Sequence, residues 1–471
     1  MIRVALAVLG AAFLLIVGAL CWSQLERHGP RASTQATPQF LGRRTPLDID
    51  VESDAPGLRS VTVRLRSGGT THDLFSEGFP TAGWLRSGVR QTRAHVDVDL
   101  VALKAAEGPA TIDVYAETYS WHLFPASHAP LLTIPVTIDV TPPQLEPLTT
   151  QHYVRLGGMD VAVFRQSADA VRSGIQVDKY FFPAQTGYFA DPGVAVVFFA
   201  VPQDLSAEVR PRLLAADAAG NQREAYLPCA ITPRRFAERT LAIDDDFLSR
   251  KVPEIAQQSG LPVTADPVQD YLHINRDLRQ QNDARIRQVT AHSAAEPLWN
   301  GAFQRQSNAA PLSAFADRRT YTYHGDVIDH QTHLGYDLAS LKLSPVEAAQ
   351  NGVVVFAENL GIYGNAVIVD HGLGIFTLYG HLSTIAVHPG EHVKTGQSLG
   401  QTGETGLAGG DHLHFSVLLG GVQVDPVEWW DAHWLRDRVT AKLTMFPRAA
   451  AIAGAEHNDE QARPRDATAS R

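Results

Sequence analysis

The stretch His412-Leu413-His414-Phe415 sets two imidazoles on one face of a strand, because alternate residues of an extended chain point the same way. Three motifs precede it, and with Val424-Asp425-Pro426 the set spans 94 residues. The first is His333-Leu334-Gly335-Tyr336-Asp337, whose imidazole and carboxylate share a face in an extended segment, with little bulk at Gly335 between them. The second is Tyr363-Gly364-Asn365, followed by an apolar strand from Ala366 to Val369 and then Asp370-His371-Gly372. The third is Leu378-Tyr379-Gly380-His381-Leu382. Nine of the nineteen histidines fall between His324 and His414, which marks this region as the place to seek chemistry. Two imidazoles plus a carboxylate suit zinc better than the all-oxygen shells of calcium or magnesium, and three protein ligands leave a fourth tetrahedral position for water.

Other chemistries match less well. A cupin-type site needs a glutamate a few residues after its His-x-His pair, and Phe415-Ser416-Val417-Leu418-Leu419-Gly420 offers none. A lipoyl- or biotinyl-carrier hairpin needs an exposed lysine at its tip, whereas Lys394 falls within a strand. No His-Glu-x-x-His motif occurs. The segment from about Asp329 to Trp430 resembles the catalytic domain of lysostaphin-like (LytM-type) zinc metallopeptidases, which cut peptide bonds in peptidoglycan. The resemblance implies one zinc ion held by His333, Asp337 and His414, with His381 and His412 as the catalytic histidines. Val393 to Gly400 looks like the glycine-bounded strand that precedes the family's last motif. Asp411 and Ser416 stand where the family usually has proline and glutamate; neither is a ligand in this scheme, so the departure is assigned to substrate fit. His330 offers an alternative ligand but reads better as a polar strand residue. Asp370 and His371 read as structural, His388 and His392 as solvated, and Tyr363 and Tyr379 as packing.

Outward from the motifs, residues 301–440 are taken as the metallopeptidase domain and residues 441–471 as a disordered polar tail. Residues 233–300 carry helical periodicity, with Asp266-Pro267 as a helix start and Val268, Tyr271, Leu272 and Leu278 on one side; they read as a helical connector. Residues 40–141 and 142–232 hold short strands between Gly, Pro and Ser clusters, among them Val61, Val63 and Leu65, Val96, Val98 and Leu100, and Val194 to Val201. They predict two immunoglobulin-like β-sandwich modules. Residues 24–39 are a polar linker. Val4 to Trp22 holds no charge over 19 residues and follows Arg3, so residues 1–23 are expected to anchor the chain in a membrane with the remainder in the periplasm. The fold class is mainly β: an anchor, two sandwich modules, a helical connector and a C-terminal antiparallel β-sheet metallopeptidase domain.

Composition narrows the function. Of 471 residues, 44 % are hydrophobic and 19 % charged, which rules out wholesale disorder. A net charge of −10 with no long basic run excludes nucleic acid as a partner. Cys21 and Cys229 cannot supply a disulfide framework. From His333 to Trp430 there are nine carboxylates, two lysines and no arginine, so shape recognition of a peptide in a groove is favoured over attraction to an anionic polymer. The expected partners are peptidoglycan stem or cross-link peptides, the membrane, and wall-synthesis or division proteins docking on the β modules. A non-catalytic wall-binding or hydrolase-activating relative is the alternative. The piece from Asn300 to Arg438 is expected to fold alone, and Trp299 to Tyr323 to cover the groove, as pro-segments do in similar enzymes.

Overall fold

Alternation of apolar and polar side chains becomes strands almost throughout, and the chain is mainly β. The computed structural model describes residues 2–24, 29–53, 57–81, 88–119 and 129–449. The opening apolar run is the helix Ile2–Gln24, on which Leu6, Phe13, Leu15 and Trp22 are exposed. Among the described residues no helix is long and apolar enough to cross a membrane.

The chain divides into two compact units. The first takes residues up to 144 with short segments at 169–172 and 214–224. Its five-stranded sheet runs in the order Phe40–Leu41, Leu132–Ile138, Gly108–Thr118, Leu58–Ser67, Thr70–Gly78. A three-stranded sheet joins Arg31–Ser33, Arg44–Glu52 and Gln91–Asp99. Val61, Val63, Ile112 and Val114 of the larger sheet share one core with Leu47, Ile49, Val51 and Val96 of the smaller, so the unit is a β-sandwich. Arg31–Ser33 lies inside the segment read as linker and adds an edge strand there. Leu100 does not extend its strand. It opens the helical turn Leu100–Leu103, because the Asp99 side chain accepts from Ala102 N and caps it.

The second unit takes residues 145–168, 173–213 and 225 onward. Its largest sheet has eight strands in the order Ala310–Ser313, Tyr336–Ala339, Leu413–Leu419, Ile375–Leu382, Asn365–Gly372, Gly352–Asn359 and His392–Val393, with Val422–Val424 pairing on Leu413–Leu419. Both faces of this sheet are covered. Val367, Val369, Tyr379, Phe415 and Val417 share a core with Val161, Val163, Phe198 and Phe199 of the antiparallel pair Met159–Gln166 and Val194–Ala200. Ala366, Ile368, Phe376, Leu378 and Leu418 point the other way. They meet Leu248, Ile255, Tyr271, Ile274 and Ile286 from the helices Asp245–Ser259 and Pro267–His273, the π-helical turn Ile274–Leu278 and the helix Arg279–Val289. Strands buried on both sides carry continuous apolar runs, as Asn365–Gly372 and Ile375–Leu382 do.

Two expectations are therefore corrected. The piece 300–438 shares its core on both faces with residues outside it, so it is not a free-standing unit. The region read as a connector is a wall of the peptidase sheet, and its strand Glu238–Ile243 pairs in parallel with Asp317–Tyr323. Asp266 does cap the helix Pro267–His273, accepting from Val268 N and Gln269 N. The chain beyond 440 is ordered further than expected: Ala441–Leu443 is helical and Lys442 is buried against Asp160. The rest of the expected tail, 450–471, lies outside the described residues.

Candidate metal centre

Strand register assembles the motifs. Asp337 on Tyr336–Ala339 pairs directly with His414 on Leu413–Leu419, and Gly380 pairs with His414 from the other side. His333 ends the strand Asp326–His333, four residues before Asp337. His333 Nε2 lies 2.9 Å from Asp337 Oδ1 and 3.0 Å from His414 Nδ1, and His414 Nδ1 lies 3.0 Å from Asp337 Oδ1. All three residues are buried. The rings of His381 and His412 stand with centroids 4.8 Å apart, and His412 Nε2 is 3.6 Å from Asp337 Oδ1. His381 reaches this position through a bulge. Between the pairs Asn365–Leu382 and Val367–Tyr379 its strand carries one extra residue, and His381 holds φ at 63°, in the left-handed region. Bulges of this kind re-aim side chains beside functional sites.

The outer nitrogen of each ring is spoken for, which leaves the inner one free. His333 Nδ1 donates to Ala314 O at 3.0 Å, His381 Nδ1 to Thr405 O at 2.8 Å and His412 Nδ1 to Gly410 O at 2.7 Å. His414 is turned the other way: its Nε2 donates to Ser416 Oγ at 3.1 Å, and Nδ1 faces the cluster. Ser416 in turn donates to Gln423 Oε1, whose amide donates to the Tyr363 hydroxyl. Arg319 donates to Asp337 Oδ2 at 3.0 Å, leaving Oδ1 for the cluster. Burial opposes ionisation of Asp337, yet the surrounding His333, His412 and His414 outweigh it and hold the carboxyl well below its ordinary range. Burial pushes His414 down to about 4. Burial, then the neighbouring His412 and His414, push His381 well below the usual imidazole value. For His412, burial is outweighed by the bond to Asp337 and the value rises.

His333, Asp337 and His414 thus offer three inward donors able to hold a metal ion. The donor set fits zinc: ligand atoms about 2.0–2.2 Å from a tetrahedral ion stand roughly 3.3–3.6 Å apart, a small expansion of the spacing found here. Each outer partner fixes a tautomer or an oxygen, the arrangement that supports metal ligands. Ser416 therefore bears on ligand orientation, and the expectation that its departure concerns substrate fit alone is corrected. Gly335 has a stricter role than leaving room, because a Cβ there would overlap the His414 ring. Gly335→Ala is expected to lower zinc affinity about 10–100-fold, the usual scale for disturbing ligand support. Titration against a chelating indicator reads this directly, and an unchanged affinity would contradict the packing argument.

The other histidines take plainer roles. His330 is exposed and meets Thr320 Oγ1, away from the cluster. His371 is buried between Asn351 O and Thr377 Oγ1, and burial lowers it to about 4. Asp370 accepts from Ser293, Ala294 N and Gly372 N. His388 and His392 are exposed. Tyr379 is a packing residue, while Tyr363 lies 5.3 Å from the His414 ring and lines the cavity.

That cavity, about 380 Å³, opens on all five motif residues and extends under Leu241, Phe247 and Tyr271. Leu312, Ser313, Arg319 and Tyr321 also line it, so the segment expected to cover the groove supplies one of its walls, with Ala310–Ser313 paired to Tyr336–Ala339. Arg239, Arg279 and Arg319 line it too, all from before the acidic window of the motifs. The alternation Asp317, Arg319, Tyr321 is the trace in the sequence that places Arg319 on the inner face.

Residues 331–426 match Peptidase family M23. Over 107 residues the chain is 38 % identical to the DD-carboxypeptidase/endopeptidase Mpg of Neisseria meningitidis, covering 23 % of this chain and 25 % of the relative. Over 130 residues it is 36 % identical to the peptidoglycan DD-endopeptidase ShyA of Vibrio cholerae, covering 27 % and 30 %. The chain thus spans about a quarter to a third of the length of these two relatives. With the lipoprotein NlpD of Yersinia enterocolitica the identity is 37 % over 94 residues, which is 20 % of this chain and 96 % of that one. Since that relative is matched along almost its whole length, and the motifs meet in one cluster, the chain belongs to peptidase family M23.

Proposed function

We propose that this protein is a zinc-dependent endopeptidase that hydrolyses peptide bonds of peptidoglycan. The observation that carries the reading is the convergence of His333, Asp337 and His414 with the inward Nε2 atoms of His381 and His412 in one cavity. The three ligands would be His333 Nε2, Asp337 Oδ1 and His414 Nδ1. When bound, zinc supplies Lewis-acid chemistry, lowering the pKa of water and polarising a carbonyl. His381 and His412 are placed to do the proton work. One Nε2 takes the proton of the attacking water and returns it to the leaving amine, and the other donates to the oxyanion. The Thr405 and Gly410 carbonyls hold each ring with a proton on Nδ1, so the base offers a bare Nε2, whereas the ring that donates to the oxyanion does so as an imidazolium. Arg319 orients Asp337 by holding its Oδ2.

The reading places the chain in the cell envelope, with the exposed apolar side chains of Ile2–Gln24 available to a membrane though no span is shown, and takes the sandwich unit as an immunoglobulin-like spacer or docking module. Digestion of purified peptidoglycan by the full chain, with products identified by mass spectrometry, tests the activity. Chelator should abolish it and added zinc restore it. Wall binding without hydrolysis in the zinc-loaded protein would instead establish a non-catalytic relative.

A further inference from the structure

Three guanidinium groups line the cavity, and two of them are matched by carboxylates. Arg239 Nε lies 3.1 Å from Asp317 Oδ2, and Arg319 lies 3.0 Å from Asp337 Oδ2. Arg279 is different. It donates to Asn275 O at 3.1 Å and to Asn275 Oδ1 at 2.6 Å, both neutral acceptors. Among the described residues no carboxylate lies in direct contact with it; Asp283, one turn along its helix, feels the Arg279 charge without bonding to it.

This position is built. The π-helical turn Ile274–Leu278 interrupts the helical run just before Arg279, a feature frequent at functional sites. Asn275 is fully buried there, and its amide donates to Asp329 Oδ2 at 2.8 Å, so its oxygen is aimed at Arg279. Arg276 and Asn275 between them occupy both oxygens of Asp329, the acidic group on the strand that leads to His333. Asp329 is thus taken up by other donors, and Arg279, whose two bonds go to neutral oxygens, keeps N–H groups free on the cavity wall shared with Tyr363 and His414.

We infer that Arg279 docks a carboxylate of the bound peptide, so that the preferred substrates are anionic peptides carrying a free carboxylate within reach of the site. A guanidinium fork matches a carboxylate in shape as well as charge, whereas a carboxamide loses the charge and one acceptor. The inference rests on the peptidase reading of the cavity. It also reverses the expectation of uncharged shape recognition, since the cations come from segments outside the acidic motif window.

The test uses two synthetic cross-linked stem peptides, one with free carboxylates and one with those groups converted to carboxamides. Binding is measured by calorimetry with the full-length His381→Ala protein, whose turnover is slowed about 10²–10⁴-fold, and hydrolysis with the otherwise unaltered chain. Binding and kcat/KM should favour the carboxylate form by about 10–100-fold. Arg279→Gln should erase that preference while leaving the carboxamide form within about 2-fold, and Arg279→Lys should retain part of it. Equal weakening of both forms, or no preference in the parent protein, would overturn the inference. Carboxylate-dependent binding without hydrolysis of either peptide would uphold it and sink the peptidase reading instead.

Discussion

Replacing His414 by alanine is expected to abolish both zinc binding and hydrolysis, whereas replacing His412, two residues earlier, should abolish hydrolysis alone. The distinction follows from which nitrogen each ring offers. His414 Nδ1 stands 3.0 Å from both His333 Nε2 and Asp337 Oδ1, so its loss removes one of three donors. His412 Nε2 is set back at 3.6 Å from Asp337, and its removal leaves His333, Asp337 and His414 in place. Zinc content in His412→Ala should stay near one per chain. Its rate should fall about 10²–10⁴-fold, the worth of positioned acid–base or oxyanion help. His381→Ala should behave like His412→Ala. Metal analysis and peptidoglycan digestion of the three purified variants decide the matter; zinc lost from His412→Ala but kept in His414→Ala would reverse the assignment.

The second large effect lies away from the chemistry. Lys442 Nζ is buried 2.6 Å from Asp160 Oδ1, 2.9 Å from Val161 O and 3.2 Å from His152 Nδ1, so its three donors meet three partners. Burial lowers the Lys442 pKa despite the attraction of Asp160, a sign of how little solvent reaches the cluster. Lys442→Ala takes the ammonium away from the Asp160 carboxylate, whose side chain is fully enclosed and keeps only Val161 N and His152 beside it. A broken buried pair of this kind costs about 3–5 kcal/mol. Removing both charges, as Lys442→Met with Asp160→Leu, should recover most of the loss, since paired burial gains little net energy. Denaturant midpoints of the two proteins give the answer, and a loss below about 1 kcal/mol in the single variant would show the cluster to be solvated.

The five motif residues could be picked out because short motifs resemble those of a known family, and Asp337 and His414 meet through simple antiparallel register. Their supports were harder to see. Ala314, Thr405 and Gly410 contribute backbone carbonyls, which leave no mark in side-chain chemistry. The bulge at His381 depends on a register shift that no residue type announces. Arg279 and Tyr271 belong to helices whose apolar stripe shows only that they pack against something. The strand Val194–Ala200 looked like part of a separate module for the same reason. A strand buried on both faces reads as a plain apolar run, without indicating which sheet lies across from it.

That shared packing governs how the catalytic half comes apart. Val367, Val369 and Phe415 are capped by Val163 and Phe198, so the sheet cannot lose its neighbour without wetting an apolar face. The second unit should accordingly melt as one cooperative step, with a single calorimetric peak whose enthalpy equals the van't Hoff value. A fragment cut at the family limits, 331–426, would carry the whole set of metal donors on a sheet with both faces exposed, and would aggregate before it could be assayed.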